Sequence, residues 1–372
     1  MITMTKPISK VATELQHRSL PSLKYTQFMD REWQDLRAIL GNDWAMFYFL
    51  LGGRGVGKSY SVLRFFIDQW KKKGRPFVWL RLSETSAQKL LANNAEKFID
   101  PDIKRFYNLD IVSKGNNVYE VKRDKKGRII EKKRMARIFA LSTFYNDKGS
   151  GLYDADFLND PKMYYNICFD EMNRDRNEKK THDILYSFAN QLENLIRKEK
   201  ERVRIICIGN TIEEASDLLV GLDFIPEYYG RYKLKKKRVI IDYIPLTDVQ
   251  RKKNEGTAGN ILMPDASTFT NEIKVDVTHL YKGKLNKPEK IIKFSKDKND
   301  WFVLWDGRVI TAYNGEQIKE ELWMQPYQDA LFVSKLRDDI IIRYQVQAFL
   351  FRNLMTQKKF KKYIQLLKPN GK

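Results

Sequence analysis

A glycine-rich segment constrains this chain of 372 residues more strongly than any other feature of its sequence. It consists of Gly52, Gly53, Arg54, Gly55, Val56, Gly57, Lys58 and Ser59, and it matches the phosphate-loop pattern G-x-x-x-x-G-K-S. The run 45–51 before it is continuously apolar, as in a strand buried on both faces, and 59–70 has helical periodicity. A strand that enters a helix through such a loop predicts an α/β sheet with a phosphate-binding edge.

The remaining apolar pattern predicts a mostly parallel sheet with helices on both faces. Further buried strands are expected at 77–82, 164–169 and 203–208, and a long helix at 179–198. Parallel pairing follows because strands alternate with helices. Short alternating segments between 109 and 141 predict antiparallel hairpins inserted between core elements. An arm of residues 1–29 and a short helix at 30–41 are expected ahead of the loop.

The chain is expected to form two domains, because its length exceeds that of a usual single domain. Residues 1–216 would form the phosphate-binding domain. Residues 217–245 are predicted to be a linker, since Pro226, Gly230 and Pro245 bracket a basic run at 233–238. Residues 246–372 would form a smaller α+β domain. Its strands are expected at 273–277, 291–294, 302–305 and 309–312, with a hairpin turn at Asp306-Gly307 and a helix from 334 to 354 that can continue to 367.

The charge balance indicates a polyanionic partner. The chain has 68 Lys and Arg against 47 Asp and Glu, a net charge of +21, which exceeds what solubility requires and favours nucleic acid as the partner. No apolar run approaches the roughly 20 residues of a membrane span, and the N-terminus has no apolar signal core. We therefore expect a soluble protein that is not exported and has no membrane partner.

The cysteine and histidine content argues against a metal cluster. Cys168 and Cys207 each lie inside an apolar strand-like run, which favours reduced buried thiols over a disulfide. The chain has only three histidines, and they are scattered along it.

The phosphate loop predicts that the chain binds ATP with Mg²⁺. Its backbone N–H groups would face phosphate oxygens at the positive end of the following helix. Lys58 would contact the β- and γ-phosphates, and the Ser59 hydroxyl would coordinate Mg²⁺. The alternative is a glycine-rich turn that matches the pattern by chance.

Two further strands are predicted to end in polar residues that complete this site. The strand 164–169 runs into Asp170, which would hold the metal through water, and Glu171, which would act as the general base. A solvent-facing acidic strand end is the alternative. The strand 203–208 leads to Asn210, which would sense the γ-phosphate or orient the water, unless it forms a plain turn into a helix at Ile212.

The loop with Tyr60 after it, the Cys-Phe-Asp-Glu-Met strand end and the block at 201–210 resemble the DNA-packaging ATPases (terminase-like packaging motors) of small tailed phages with protein-primed genomes. The resemblance covers about the first 210 residues. It implies a P-loop NTPase fold of the ASCE type, a nucleotide contact by Tyr60, and a homo-oligomeric ring, a pentamer in that family. It also implies double-stranded DNA and the phage portal (connector) as partners, a structural RNA as a further candidate, and action in the host cytoplasm at the procapsid portal vertex.

The resemblance also implies basic residues that act across subunits. It places an arginine finger at Arg197, with Lys198 as a rival because the spacing differs by one residue. The alternative for Arg197 is a solvated helix-end residue. Lys148 matches a second trans-acting basic position, although a mobile surface loop of so basic a chain would contain a lysine anyway.

The family's C-terminal domain is nuclease-like, and the resemblance implies that fold here without a working nuclease. The available carboxylates are Asp265, Asp276, Asp297, Asp300 and Asp306, and none has a setting typical of a metal site. We therefore predict that residues 246–372 bind DNA or a partner. The basic runs 233–238 and 358–362 are candidates for backbone contacts with DNA, for RNA or portal binding, or for a solvated surface.

Four classes of function fit the loop. A ring translocase accounts for the acidic pair, the charge and the second domain together. Another nucleic-acid ATPase of the helicase type, or a small-molecule kinase, would share the loop, but a kinase gains nothing from the excess of positive charge. Glu171 argues against a switch that binds ATP without hydrolysing it.

Overall fold

The described chain divides into two compact units. The first contains Met1–Ser216 with Pro226–Lys274, and the second contains Asp217–Ile225 with Val275–Lys372. This computed structural model describes residues 40, 44–142, 164–173, 183–196, 201–210, 216–226, 228–273, 275, 277–293, 300–314, 331–332 and 337–367. The arm 1–29 and nearly all of the helix 30–41 lie outside these residues.

A nine-stranded sheet forms the first unit, in the order β3-β4-β5-β2-β6-β7-β1-β9-β8. Its strands are β1 (Phe47–Gly52), β2 (Phe77–Arg81), β3 (Ile111–Lys114), β4 (Asn117–Arg123), β5 (Ile129–Ala140), β6 (Tyr165–Asp170), β7 (Val203–Asn210), β8 (Gly230–Leu234) and β9 (Val239–Ile244). Six neighbouring strands, β5-β2-β6-β7-β1-β9, pair in parallel. The strands β3 and β4 at one edge and β8 at the other pair antiparallel. The predicted mostly parallel sheet and the inserted hairpins are confirmed. β7 lies between the loop strand β1 and the acidic strand β6.

Helices cover both faces of this sheet. The helices of the first unit are α1 (Lys58–Lys73), α2 (Glu84–Ala95), α3 (Pro101–Tyr107), α4 (Ile184–Ile196), α6 (Asp248–Asn254), α7 (Ala258–Leu262) and α8 (Ser267–Thr270). The helix α5 (Asp217–Leu222) belongs to the second unit. Phe66 of α1 contacts Trp79 of β2, with ring centroids 6.5 Å apart. Phe188 of α4 contacts Phe169 of β6 at 4.9 Å. Trp79 is paired with Cys168, so the next residue, Phe169, points to the other face.

The predicted linker at 217–245 is wrong for most of its length. β9 is buried throughout and pairs in parallel with the whole of β1, which makes it a core strand. The basic residues Lys235–Lys237 form the turn of the β8–β9 hairpin instead of a connecting segment. The β-branched run Val-Ile-Ile decides the matter, because its burial against β1 outweighs the polar residues around it. The boundary between the units lies at 274/275 rather than at 246.

The second unit has a five-stranded sheet in the order β13-β10-β11-β12-β14. Its elements are β10 (Pro288–Lys293), β11 (Asp300–Trp305), β12 (Val309–Asn314), β13 (Leu331–Phe332), α9 (Arg337–Gln345), β14 (Leu350–Phe351) and α10 (Leu354–Leu367). The Asp306-Gly307 turn is confirmed, and both residues have positive φ, 48° and 70°. The described part of 273–277 contains no strand. The single helix from 334 is also wrong, because Gln347 is left-handed (φ 56°) and β14 then pairs with β12.

The two cysteines are free and buried, as predicted. Burial raises the pKa of both thiols above the ordinary value, so neither is a reactive thiolate. Among the described helices, none combines the length and the apolar character needed to cross a membrane.

A buried ion pair joins β8 to β9. Asp242 is fully buried, and its Oδ1 accepts from Nε of Arg231 at 2.9 Å. Burial raises the pKa of Asp242 to about 6, and the neighbouring Arg231 opposes that rise. The charged carboxylate is therefore tolerated in the fold only because the guanidinium is beside it.

Arg231→Met is expected to destabilise the first unit by about 3–5 kcal/mol at pH 8, because it leaves a buried carboxylate without a partner. The folded pKa of Asp242 lies above the unfolded one, so the penalty exists above the folded pKa and disappears as protonation removes the charge. Denaturant midpoints at pH 8 and pH 5 measure this. The difference from wild type should shrink at pH 5, and the double variant with Asp242→Leu should lose less. An equal loss at both pH values would contradict the assignment.

Candidate nucleotide site

The loop between β1 and α1 has the backbone that its glycines predict. Gly55 and Gly57 have φ of 82° and 87°, values that side chains with a Cβ rarely adopt. A Cβ on Gly52 would stand 2.9 Å from the Ile244 carbonyl oxygen of β9, so this glycine is required by close approach. Val56 is fully buried and anchors the middle of the loop. The loop leads directly into the N-terminus of α1, whose positive dipole end is suited to phosphate.

Lys58 is buried and its ammonium lies against the loop. Its Nζ donates to the carbonyl oxygens of Gly52 at 2.9 Å and Gly53 at 2.7 Å, and it lies 3.5 Å from Oδ1 of Asn210. Burial lowers the pKa of Lys58 to about 8, while the charge of Asp170 acts in the opposite direction. A buried ammonium with neutral partners would gain strongly from phosphate oxygens.

Ser59 and Asp170 meet as the sequence predicts. Ser59 Oγ donates to Asp170 Oδ1 at 3.0 Å. The carboxyl ends of β1 and β6 lie at the same edge, since both pair in parallel with β7. A hydroxyl and a carboxylate oxygen side by side fit the oxygen ligands that Mg²⁺ prefers. These two residues can therefore hold the metal of a Mg-nucleotide.

Arg81, at the end of β2, is a site residue that the sequence did not reveal. Its Nη1 donates to Asp170 Oδ2 at 2.6 Å, and its Nη2 lies 3.2 Å from Glu171 Oε1. Glu171 is half exposed and has a left-handed backbone (φ 58°), which costs about 1–3 kcal/mol in a residue with a side chain. The arginine thus holds both carboxylates of the acidic strand end. In the sequence, only the position of Arg81 at the end of an apolar strand could have pointed to this role.

The end of β7 is packed tightly onto the segment after β6. Asn173 Nδ2 donates to the backbone oxygen of Asn210 at 3.1 Å. A Cβ on Gly209 would stand 2.7 Å from Met172 Cε, so this strand end approaches as closely as glycine permits. Asn210 is thereby held beside Lys58, and the turn at Thr211–Ile212 lies outside the described residues.

The back of the loop is supported by residues that follow β9. Gln250 is buried in α6, where its Oε1 accepts from Thr247 N at 2.8 Å and its Nε2 donates to the Gly55 carbonyl at 2.6 Å. Asn271 is fully buried, with its Oδ1 3.2 Å from the place where a Cβ of Gly53 would lie. The sequence Thr247-x-x-Gln250 signals a capping box, but nothing local signals the loop contact.

The remaining predicted site residues either lie apart from these contacts or fall outside the described residues. Tyr60 is half-buried and packs against the core, so its contact with nucleotide stays a prediction. Both oxygens of Asp306 accept backbone N–H groups, from Asn286 and Lys287, which explains this residue structurally. Within the described residues, no group of three or more acidic, His or Cys side chains could hold a metal ion. Arg197, Lys198, Lys148, Asp276 and Asp297 lie outside the described residues.

Comparison with known proteins decides the family. The model of the podovirus DNA encapsidation protein (Gp16) family matches residues 33–346. The chain belongs to this family. The DNA packaging protein of Bacillus phage PZA is 21% identical over 246 residues, which cover 66% of this chain and 67% of the relative. That of Bacillus phage phi29 is 21% identical over 210 residues, 56% of each chain.

Solved structures of packaging motors share the fold of this chain. The Phi-28 gp11 DNA packaging motor aligns over 92% of this chain and 99% of that one, with a TM-score of 0.56 and 17% identity. The bacteriophage Phi-29 viral genome packaging motor assembly aligns over 91% and 100%, with a TM-score of 0.55 and 16% identity. The predicted resemblance to phage DNA-packaging ATPases is confirmed, and the sheet is that of a P-loop ATPase.

Gln250→Glu is expected to weaken ATP binding roughly tenfold or more, because the carboxylate still accepts from Thr247 N but cannot donate to the Gly55 carbonyl. Gln250→Ala should weaken binding comparably and also lose about 0.5–1.5 kcal/mol of stability, because the hydrogen bond from Thr247 N is removed while the Thr247 side-chain cap remains. Titration with a fluorescent ATP analogue and thermal unfolding separate the two effects. If Gln250→Glu binds the analogue as tightly as wild type, the contact does not support the loop.

Arg81→Lys is expected to lower kcat for ATP hydrolysis roughly 10–100-fold with a smaller change in nucleotide affinity, because one ammonium cannot hold two carboxylates in a fixed geometry. Steady-state kinetics together with equilibrium nucleotide binding measure this. A rise in KM at unchanged kcat would mean that Arg81 contacts the nucleotide rather than positioning Glu171.

Proposed function

We propose that this chain is an ATP-driven translocase of double-stranded DNA that packages a viral genome into a procapsid. The observation that carries the proposal is the convergence of Lys58, Ser59, Asp170 and Glu171 at one edge of the sheet. We further propose that it acts as a homo-oligomeric ring at the portal vertex in the host cytoplasm, with Arg197 as a finger in trans and Lys148 as a second basic residue there.

Each residue of the site has a definite part in hydrolysis. The loop amides and Lys58 bind the triphosphate, and Ser59 and Asp170 would hold Mg²⁺, which neutralises charge on the phosphates when bound. Glu171 takes the proton of the attacking water, and Arg81 keeps the Glu171 carboxylate at that end of the sheet. Asn210, beside Lys58, is placed to orient the water or contact the γ-phosphate.

The DNA part of the proposal is supported by the family and by charge. The family description and the names of the PZA and phi29 relatives refer to DNA encapsidation or packaging. A net charge of +21 favours binding to a phosphate backbone, which a translocase must grip without reading sequence. The second unit is proposed to be a nuclease-like domain that binds DNA or a partner, with no nuclease activity of its own. Cleavage of plasmid DNA in Mg²⁺ or Mn²⁺ that is abolished by Asp300→Asn would contradict this.

Lys58→Ala should abolish ATP hydrolysis, and Glu171→Gln should keep nucleotide binding while lowering kcat about 10²–10⁴-fold, since only the proton acceptor is lost. Hydrolysis and ATP binding are measured with and without double-stranded DNA. Stimulation by DNA distinguishes a translocase from a kinase, and DNA-dependent filling of procapsids distinguishes it from a helicase-like ATPase. Full activity of Glu171→Gln would remove the proposed base.

Arg197→Ala is expected to lose activity in a homogeneous ring and to recover part of it when mixed with Lys58→Ala subunits, because each variant supplies what the other lacks across an interface. ATP hydrolysis is measured over a series of mixing ratios, and the same series with Lys198→Ala shows which of the two rival residues acts across the interface. Full activity of the homogeneous Arg197→Ala ring would favour the helix-end role, and activity that stays at zero at every ratio would contradict action across an interface.

A further inference from the structure

The outer part of the β4–β5 hairpin projects from the first unit. We call residues 121–133 the basic arm. β5 pairs with β2 only over Ala136–Ala140, while residues 129–135 continue past Phe77, the first residue of β2. Seven residues at about 3.3 Å each extend this strand by about 23 Å. Because β5 is parallel to β2 and Arg81 ends β2, the arm leaves the sheet at the edge opposite the nucleotide site.

The arm carries more positive charges than its own ion pairs neutralise. It contains seven Lys or Arg and two acidic residues, a net charge of 7 − 2 = +5. Glu131 pairs with Lys122 at 2.6 Å and Lys133 at 2.9 Å, and Arg123 pairs with Asp110. At the tip, the side chains of Lys125, Lys126 and Arg128 are exposed and have no ion pair among the described residues.

The arm is organised in advance for binding. Asp124 Oδ1 accepts from the backbone N–H groups of Lys126 at 2.8 Å and Arg128 at 2.9 Å, which sets the shape of the tip. At its base, Trp70 Nε1 donates to Glu120 Oε2 at 2.6 Å, which fastens the hairpin to α1. A preordered tip loses less entropy on binding than a flexible loop would.

Two isoleucines next to the tip add exposed apolar surface to the arm. Ile129 is 44% exposed and Ile130 is 68% exposed. A β-bulge lies here, since Lys122 is paired with Glu131 and Arg123 with Ile129, so Ile130 is the extra residue of β5 and both isoleucines lie beside the cations of the arm. Neither side chain is buried in the core, so both are available to contact a partner of the arm.

We propose that the basic arm binds double-stranded DNA at the side of the first unit opposite the nucleotide site. The inference rests on the proposed function for its choice of polyanion. A two-stranded ribbon fits the major groove of B-DNA, about 12 Å wide, whereas the major groove of duplex RNA is too deep and narrow for it. The tip cations contact phosphates and the isoleucines contact apolar edges of the groove, so the arm grips DNA without selecting a sequence.

The test is the salt dependence of DNA binding by the full chain. Lys125→Ala/Lys126→Ala/Arg128→Ala should reduce the slope of log K against log salt by about 2.7, at about 0.9 per lost phosphate contact. The control Lys89→Ala/Lys97→Ala/Lys252→Ala removes the same charge from exposed lysines of the first unit that lie outside the arm, and it should leave the slope unchanged. Equal reductions in both variants would show diffuse attraction and overturn the arm as a site.

Two further measurements make the assignment specific. Ile129→Ser/Ile130→Ser should weaken DNA binding several-fold with no change of slope, since no phosphate contact is lost. A duplex RNA of equal length should bind wild type more weakly and respond less to the tip variant, and the reverse order would overturn DNA as the ligand. Both arm variants should retain hydrolysis without DNA. If wild type itself lacks hydrolysis, the proposed function fails while the binding test of the arm still stands.

Discussion

The carboxylate of Asp170 is the point where the separate parts of the nucleotide site are joined. One oxygen accepts from Ser59 at the start of α1, and the other accepts from Arg81 at the end of β2. Three segments distant in sequence are thereby held at one edge of the sheet. This is possible because β2, β6, β7 and β1 run in parallel, which brings their carboxyl ends to the same side.

Two features of the nucleotide site are unfavourable for the stability of the fold. Lys58 is held in a buried place where its pKa falls, and Glu171 keeps a left-handed backbone. Both features lower the stability of the protein without ligand, and both place charge where a triphosphate and its attacking water would lie. Neighbouring contacts maintain them: Arg81 pairs with Glu171, Asn173 holds the end of β7, and Gln250 supports the loop from behind.

The first unit is completed by a segment that follows an excursion of the chain into the second unit. After Asp217–Ile225 the chain returns as β8, β9 and α6, and these elements supply the neighbours of the loop glycines and Gln250. The nucleotide site therefore depends on residues far along the chain, since Gln250 lies 195 positions after the Gly55 carbonyl that it supports. A fragment that ended at residue 216 would lack both β9 and the support of the loop.

The sequence by itself determined the loop, its strand and helix, the acidic strand end and the hairpin turn at Asp306-Gly307, because each depends on contacts or backbone preferences within a few residues. The family resemblance could likewise be read from those motifs. Only the tertiary structure decided that 239–244 is a core strand, that Arg81 and Gln250 belong to the site, and that the helix after 334 is broken by a strand. In each case the deciding energy is burial or a hydrogen bond with a partner far along the chain, and no local pattern records which partner that will be.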